Sequence, residues 1–509
     1  MPENDAPDAS VTSRDVAKGV GTTLLARLGG ALDVITQPLY VWLFGLATFG
    51  LYAVLWAAVN LIENVADLGM TSALQRTVPK AKTPAQEAAA LRTALVYGVT
   101  PCLAIAAAAS FAAPDIAHWF NAAPKDQAFL VPAIRLFAWA LPLWAFVEIA
   151  TSALRAKRVF GAEIRLRVFW EQVIRLVLVL ALYAAGVSTM ALLYGHLASL
   201  AITAVLCIRL LAQHYDVRLV LHSAGDEPLV RETIQAGLAV LPTNAVMRSF
   251  GDGPPIVLNA MLPGSAGAVA GGLFAIARKV SSVVQMVRTA FVYVLAPLAS
   301  AAHQGRNDDV RAIYAFATRV QIAIGLPLGA VLIAAGPAIL KLFSKASFVA
   351  LPALAIMVGA RILEAAAGAA APIQQVTRGF KGQLVGSSIG LAVAMLLAFA
   401  LLPEAGLTGM ALAVGAGLIL AAAIPIAQLW HKGRLHPFAP PFLRTVAVAA
   451  VAAAIGYGVM ALALALPRAA ELAAIPIVLA GAVWCSARLA LPAEDRAALG
   501  KTGRALRLG

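Results

Sequence analysis

Apolar runs of about 20 residues, each long enough to cross the hydrocarbon core of a bilayer as a helix, alternate with short polar stretches along the whole chain. The pattern predicts membrane helices over about 21–46, 49–73, 93–113, 129–153, 168–186, 188–212, 233–259 and 266–298 on the same length criterion. Six more are expected over about 313–336, 347–371, 383–402, 406–429, 443–466 and 472–490. Breaks at Gly45 to Gly50, Gly186, Pro254-Pro255 and Pro403 punctuate the series. An all-α integral membrane protein of about 14 transmembrane helices is the resulting fold class. Composition points the same way, because 61% hydrophobic and 13% charged residues with a mean hydropathy of +0.84 are far from a soluble domain of 509 residues.

Charge in the polar stretches supplies an orientation, since Lys and Arg accumulate in cytoplasmic loops. With both termini inside, inner segments hold Arg14 and Lys18, the group Arg76 to Arg92, the group Arg155 to Arg167, and Arg209, Arg218 and Arg231. Further inner charges are Arg306, Arg311, Arg378, Lys381, Lys432, Arg434, Arg444 and the basic residues from Arg488 to Arg507. Outer segments hold only Lys125, Lys341, Lys345 and Arg468. The net charge of +14 therefore needs no nucleic acid; it reads as a topology signal and a surface for anionic membrane lipids. Residues 1–18 are polar and mixed in charge, unlike a signal peptide, and read as a cytoplasmic tail.

An internal repeat is visible as well. Gly50-Leu51-Tyr52-Ala53-Val54 is echoed by Gly272-Leu273-Phe274-Ala275-Ile276, an offset that also sets Gln37 opposite Asn259. A six-helix unit preserves orientation, so the halves would be parallel repeats about the membrane normal. The corresponding division is an N-lobe at 19–213, a polar linker at 214–231, a C-lobe at 232–430, and an appendage with the carboxyl-terminal tail at 431–509.

Phe49-Gly50-Leu51-Tyr52, followed by an apolar helix and then by Ala66-Asp67-Leu68-Gly69-Met70 and Gln75-Arg76, resembles the amino-terminal signature of the bacterial oligosaccharide flippases. Their superfamily also contains the lipid II flippases and the multidrug and toxin extrusion transporters. The resemblance implies two six-helix lobes in a V around a central cavity, with two extra helices in some members. It also implies transport of undecaprenyl-pyrophosphate-linked oligosaccharide from the inner to the outer leaflet of the bacterial inner membrane, as a step of surface polysaccharide biosynthesis.

Nine basic residues inside the predicted spans fit such a cargo: Arg27, Arg135, Arg175, Arg248, Arg278, Lys279, Arg288, Arg319 and Arg361. Each would cost about 2.5 kcal/mol or more at the centre of a lipid-facing helix, so they are expected to face protein or water. Arginine suits a pyrophosphate because its rigid fork grips phosphate oxygens bidentately and keeps its charge at any ordinary pH. Arg27, Arg248, Arg278 and Arg288 are the candidate pyrophosphate ligands. The alternative is that such arginines pair with Asp33, Glu63, Asp67, Asp252 or Glu364 and lock helices together. Arg278 and Arg288 lie about 15 Å apart along one helix and so mark successive stations rather than one clamp. Arg361 and Glu364, three apart, share a face and read as an internal pair.

Acids in the spans raise ion coupling. Asn60, Glu63, Asn64 and Asp67 draw one polar stripe down a helix, with Asp33, Glu148 and Asp252 as further partners. Asp33 and Glu63 are the candidate coupling sites, for H+ or Na+, and Asp67 is placed to cap the turn at Gly69. Pro38 and the group Gly251, Gly253, Pro254 and Pro255 are read as interruptions of the first and seventh helices and as candidate hinges.

Enzymatic chemistry finds no support. The seven histidines fall mostly at predicted helix ends without metal-ligand spacing, the three cysteines sit in apolar runs, and no GxxxxGK phosphate loop is present, so neither a metal nor another cofactor is expected. Rival readings are a lipid II flippase, a multidrug antiporter, whose cationic cargo a basic cavity would repel, and a non-transporting scaffold for polysaccharide synthesis. The expected partners are the lipid-linked oligosaccharide, membrane lipids and the polysaccharide polymerase or export machinery, with the protein itself a monomer.

Overall fold

Apolar runs become helices because, without water, backbone groups must bond within their own segment. The computed structural model describes residues 31–157, 159, 164–222, 227–302, 307–367, 369–378, 381–433, 435–438, 440–499, 503, 504, 506 and 507. Regular structure among them is entirely helical. In chain order the principal elements are α1 (Ala31–Phe44), α2 (Leu46–Ala66), α3 (Met70–Thr77), α4 (Pro84–Phe111), α5 (Leu130–Phe137), α6 (Ala140–Ala156), α7 (Glu171–Ala184) and α8 (Ala191–His214). They continue as α9 (Glu227–Met261), α10 (Ser265–Ala302), α11 (Asn307–Ala334), α12 (Gly336–Phe343), α13 (Leu351–Ala367), α14 (Ala370–Arg378), α15 (Lys381–Gly433), α16 (Pro440–Ala463), α17 (Arg468–Ala490) and α18 (Ala493–Ala498).

Ten helices among the described residues are long and apolar enough to cross a membrane, so the chain is a multi-pass membrane protein. The difference from the expected number has local causes. The first predicted span lies partly outside the described residues. The fifth is split between a π-helical turn, Ile164–Trp170, and the 14-residue α7. The seventh, within α9, runs for 35 residues but carries charge in its middle. The eleventh and twelfth run together in α15, which kinks where Gly406 takes φ 51° and ψ −126°, three residues after Pro403.

Two predicted interruptions are absent. Helix α9 continues through Gly251, Gly253, Pro254 and Pro255, and α1 continues through Pro38. A membrane helix tolerates proline where neighbouring helices satisfy the freed carbonyls, so these residues do not end their helices.

Helices α2 to α8 pack among themselves, as do α9 to α17, and the two sets meet where α2, α3 and α4 lie against α9 and α10. Two glycine crossings bring that seam together. A Cβ on Gly50 would sit 1.9 Å from the Ala268 carbonyl oxygen, and one on Gly272 would sit 2.7 Å from the Gly50 Cα, so the two echoed glycines of the sequence touch. At the opposite end, Gly69 takes φ +72° and presses on Gly237, whose carbonyl oxygen a Cβ would approach to 2.3 Å. Asp67 shapes that turn by accepting from the Gly69 amide at 2.8 Å and the Thr71 hydroxyl at 2.9 Å. The Asp67-Leu68-Gly69 motif thus ends α2, starts α3 and lets another backbone approach, which only glycine permits at that φ.

Helices α16 and α17 pack on α11, and the short α18 is tied to the same helix by Arg319, whose Nε and Nη2 donate to Asp495 at 2.6 and 2.8 Å.

Candidate functional site

Arginines placed on α9, α10 and α13 meet carboxylates rather than open space. Residues four apart on a helix share a face, which puts Arg248 Nη1 3.8 Å from Asp252 Oδ2. From α10, Arg278 Nη1 donates to Asp252 Oδ1 at 2.9 Å. Asp252 is 1% exposed, while the Arg248 and Arg278 side chains are 37% and 31% exposed. Gly251 makes room for this arrangement, since a Cβ there would lie 3.0 Å from Arg278 Nη1. Two turns or more further along α10, Arg288 Nη2 lies 3.1 Å from Glu364 Oε1, and Arg361 Nη1 donates to Glu364 Oε2 at 2.6 Å. The internal pairing expected for Arg361 and Glu364 is present, and Arg288 joins it. A small cavity opens beside this second cluster, lined by Met247, Phe250, Arg288, Glu364, Gln383 and Ser387 among others.

Each cluster holds two guanidiniums and one carboxylate, so each carries one positive charge in excess. In a medium of low dielectric that excess attracts an anion more strongly than it would in water. Phosphate oxygens offer guanidinium the same acceptor geometry as a carboxylate.

The α2 stripe is less basic. Asn60 donates to the Trp56 carbonyl at 3.1 Å, and Asp67 is engaged in its turn. Glu148 accepts from Arg167 at 2.9 and 2.5 Å, with that guanidinium 4.5 Å from the Trp144 ring. Glu63 is buried, and its carboxylate makes no hydrogen bond or ion pair among the described residues, yet it feels the charges of Glu148, Asp67, Arg248 and Arg167. Arg27 lies outside the described residues, as does the side chain of Asp33.

Other intramembrane arginines have structural tasks that sequence spacing did not reveal. Arg175 donates to the Tyr52 hydroxyl at 3.2 Å and lies 3.3 Å from His196 Nε2, with Glu171 3.7 Å away. His196 is buried against Trp56, at 4.2 Å between ring centroids. Arg175 and Glu171, four apart, were the one signal for this cluster in the sequence. Arg319 holds α18, and Arg135 is exposed at the end of α5. The nine basic residues therefore do not line one cavity.

The seam is closed at both ends. At one, Asn121 and the fully buried Asn259 exchange hydrogen bonds: Asn121 N to Asn259 Oδ1 at 3.0 Å, Asn121 Nδ2 to Asn259 O at 2.8 Å, and Asn259 Nδ2 to Asn121 O at 2.7 Å. The Gly264 amide adds a bond to Asn121 Oδ1 at 3.1 Å. At the end carrying the basic loops, Lys80 Nζ meets Glu232 at 2.5 Å across the Gly69–Gly237 crossing, and that lysine, with Arg76 beyond it, holds the Glu232 carboxyl below the usual carboxylate range.

The family described as "Polysaccharide biosynthesis protein" matches residues 43–351. No curated protein matches the chain. Among solved structures, the lipid II flippase MurJ in an inward closed conformation superposes with a TM-score of 0.70 at 11% identity, covering 91% of this chain and 97% of that one. A MATE transporter in complex with MaL6 gives 0.62 at 16% identity, covering 84% and 97%. A MOP-superfamily transporter from Pyrococcus furiosus, whose reversed binding-pocket polarity suggested a different function for it, gives 0.61 at 16% identity, covering 84% and 96%. The fold is that of the MOP-superfamily transporters.

Proposed function

From the premise that this chain belongs to the polysaccharide biosynthesis protein family, as a transporter of the MOP superfamily, we propose that it moves undecaprenyl-pyrophosphate-linked oligosaccharide from the cytoplasmic to the periplasmic leaflet of the bacterial inner membrane. The observation that carries this reading is the pair of Arg–carboxylate–Arg clusters inside the membrane, each with an unbalanced positive charge. A pyrophosphate is the part of a lipid-linked sugar that most needs such groups; the isoprenoid tail can stay in lipid and the sugars can be hydrated.

Transport proceeds by alternating access between two six-helix lobes, 19–213 and 232–430, joined by the linker 214–231 and followed by two further helices, with both termini cytoplasmic. Arg248, Arg278 and Arg288, together with Arg27, bind the headgroup in succession. Glu63, buried beside charges of both signs, and Asp33 are the places for a coupling H+ or Na+. Gly251 serves as clearance for Arg278, and Pro38, Gly253, Pro254 and Pro255 supply compliance within continuous helices. The protein works as a monomer that hands its cargo to the polymerase or export machinery.

A second reading, lipid II transport, is favoured by the superposition on MurJ. A multidrug antiporter is disfavoured because organic cations would meet the excess positive charge of both clusters. The test is headgroup accessibility in proteoliposomes, comparing the intact protein with Arg278→Ala and Arg27→Ala. Movement of the undecaprenyl-pyrophosphate oligosaccharide by the intact protein, with loss in both variants, is the expected result. Movement of lipid II instead would select the second reading, movement by the variants as fast as by the intact protein would take these arginines out of the transport step, and no movement of either lipid by the intact protein would return the scaffold.

A further inference from the structure

The two ways in which arginine meets carboxylate in this protein differ in strength and in access. Arg319 holds Asp495 through two nitrogens, at 2.6 and 2.8 Å, and is only 12% exposed. That is a lock. Arg278 donates to Asp252 through Nη1, at 2.9 Å, with its side chain 31% exposed. The second oxygen, Oδ2, accepts no hydrogen bond in the structure and lies 3.8 Å from Arg248 Nη1. The carboxylate is buried while both guanidiniums are reachable.

Resting on the reading that Arg278 binds the pyrophosphate, we infer that Asp252 is a resident counter-anion that holds Arg278 in the unloaded transporter and releases it to the substrate phosphate. The second arginine explains how release is tolerated. A carboxylate stranded in a low-dielectric interior is costly, and Arg248 stays on Asp252 when Arg278 leaves. Gly251 leaves the space against the α9 backbone in which the guanidinium rests. Glu364, shared between Arg288 and Arg361, repeats the two-to-one arrangement beside the cavity, so a headgroup moving along α10 would meet a second guanidinium held in the same manner. Asp252 thereby sets affinity: an anion binds only if it offers Arg278 more than one carboxylate oxygen already does, which a pyrophosphate does.

The experiment is isothermal titration of the full-length protein in detergent with undecaprenyl pyrophosphate, and separately with inorganic pyrophosphate. Asp252→Asn is expected to bind undecaprenyl pyrophosphate about tenfold more tightly than wild type, the value of one charge-assisted hydrogen bond no longer broken on binding. Adding Arg278→Gln to that variant should abolish the gain. The double variant Asp252→Asn with Arg248→Gln restores the wild-type net charge and carries the test should the single variant fold poorly. It should bind more tightly than Arg248→Gln alone, because Arg278 is released, whereas equality with Arg248→Gln would mean that Asp252 does not hold Arg278 back and would overturn the inference. Weaker binding by Asp252→Asn would make Asp252 a positioning group for the guanidinium, and unchanged binding would leave it no part in recognition; either result overturns the inference while wild-type binding that Arg278→Gln removes keeps the functional reading intact. Absence of pyrophosphate binding by wild type and every variant, with the protein folded, would overturn both.

Discussion

Replacing Asn259 with alanine should open the seam at the end away from the basic loops. The side chain is fully buried and supplies two of the hydrogen bonds across the seam, one accepted from the Asn121 amide at 3.0 Å and one donated to the Asn121 carbonyl at 2.7 Å. Alanine removes both and leaves the Asn121 backbone groups to find water. At about 1 kcal/mol net per bond the closed form loses about 2 kcal/mol, a shift of about 30-fold in the closed-to-open ratio. Distances between spin labels at His118→Cys and Ser265→Cys, measured with Cys485 replaced by serine, read that ratio directly, because both positions are exposed on opposite sides of the clamp. Wild type should give one short distance, and Asn259→Ala should add a longer population. A distribution unchanged in a folded Asn259→Ala protein would refute the idea that these bonds hold the end shut.

Three further outcomes follow from the packing. Gly50→Val should lower the thermal midpoint and the yield of folded protein, since even a Cβ would overlap the Ala268 carbonyl; overpacking of this kind costs about 1–3 kcal/mol, and a wild-type melting curve would refute the crossing. Arg319→Ala strands Asp495 and should speed proteolysis within residues 493–507, with Arg319→Ala combined with Asp495→Ala recovering part of the protection; a double variant as labile as the single one would argue against the pair. Glu232 is held ionised by Lys80, so its contribution to closing the basic end is present above the ordinary carboxylate range and disappears as pH falls through its lowered value; label accessibility at that end should rise on acidification in wild type and be flat with pH in Lys80→Ala.

The seam shows how far sequence reasoning reached into the packing. The echo of Gly50 in Gly272 was legible as a repeat, but that the two glycines press on each other is a fact of three dimensions. Gly69 was legible as the end of a turn capped by Asp67, whereas its second task, admitting Gly237, depends on a helix 168 residues along the chain. The prolines of α9 and α1 read as interruptions in the sequence, yet both helices continue through them, which a membrane helix tolerates where the freed backbone groups find other partners.

At the site, sequence identified the arginines as out of place in lipid and could not decide what they face. Spacing found Arg361 with Glu364, because residues three apart are neighbours on any helix, and the same rule at four apart holds for Arg248 and Asp252, a pair that the structure brought to light. It could not find Arg278 on Asp252, Arg288 on Glu364, Arg319 on Asp495 or Arg175 beside His196, whose partners lie on other helices.

Alone, the sequence determined that the chain lives in a membrane, which stretches are helical, which end carries the basic loops and which charges need an explanation. These are local properties, set by hydrophobic length and by the cost of burying one charge. Only the tertiary structure decided which charges neutralise one another, that two clusters each keep one positive charge in excess, and that the seam is shut at both ends. Those depend on angles and separations between helices, which sequence distance does not encode.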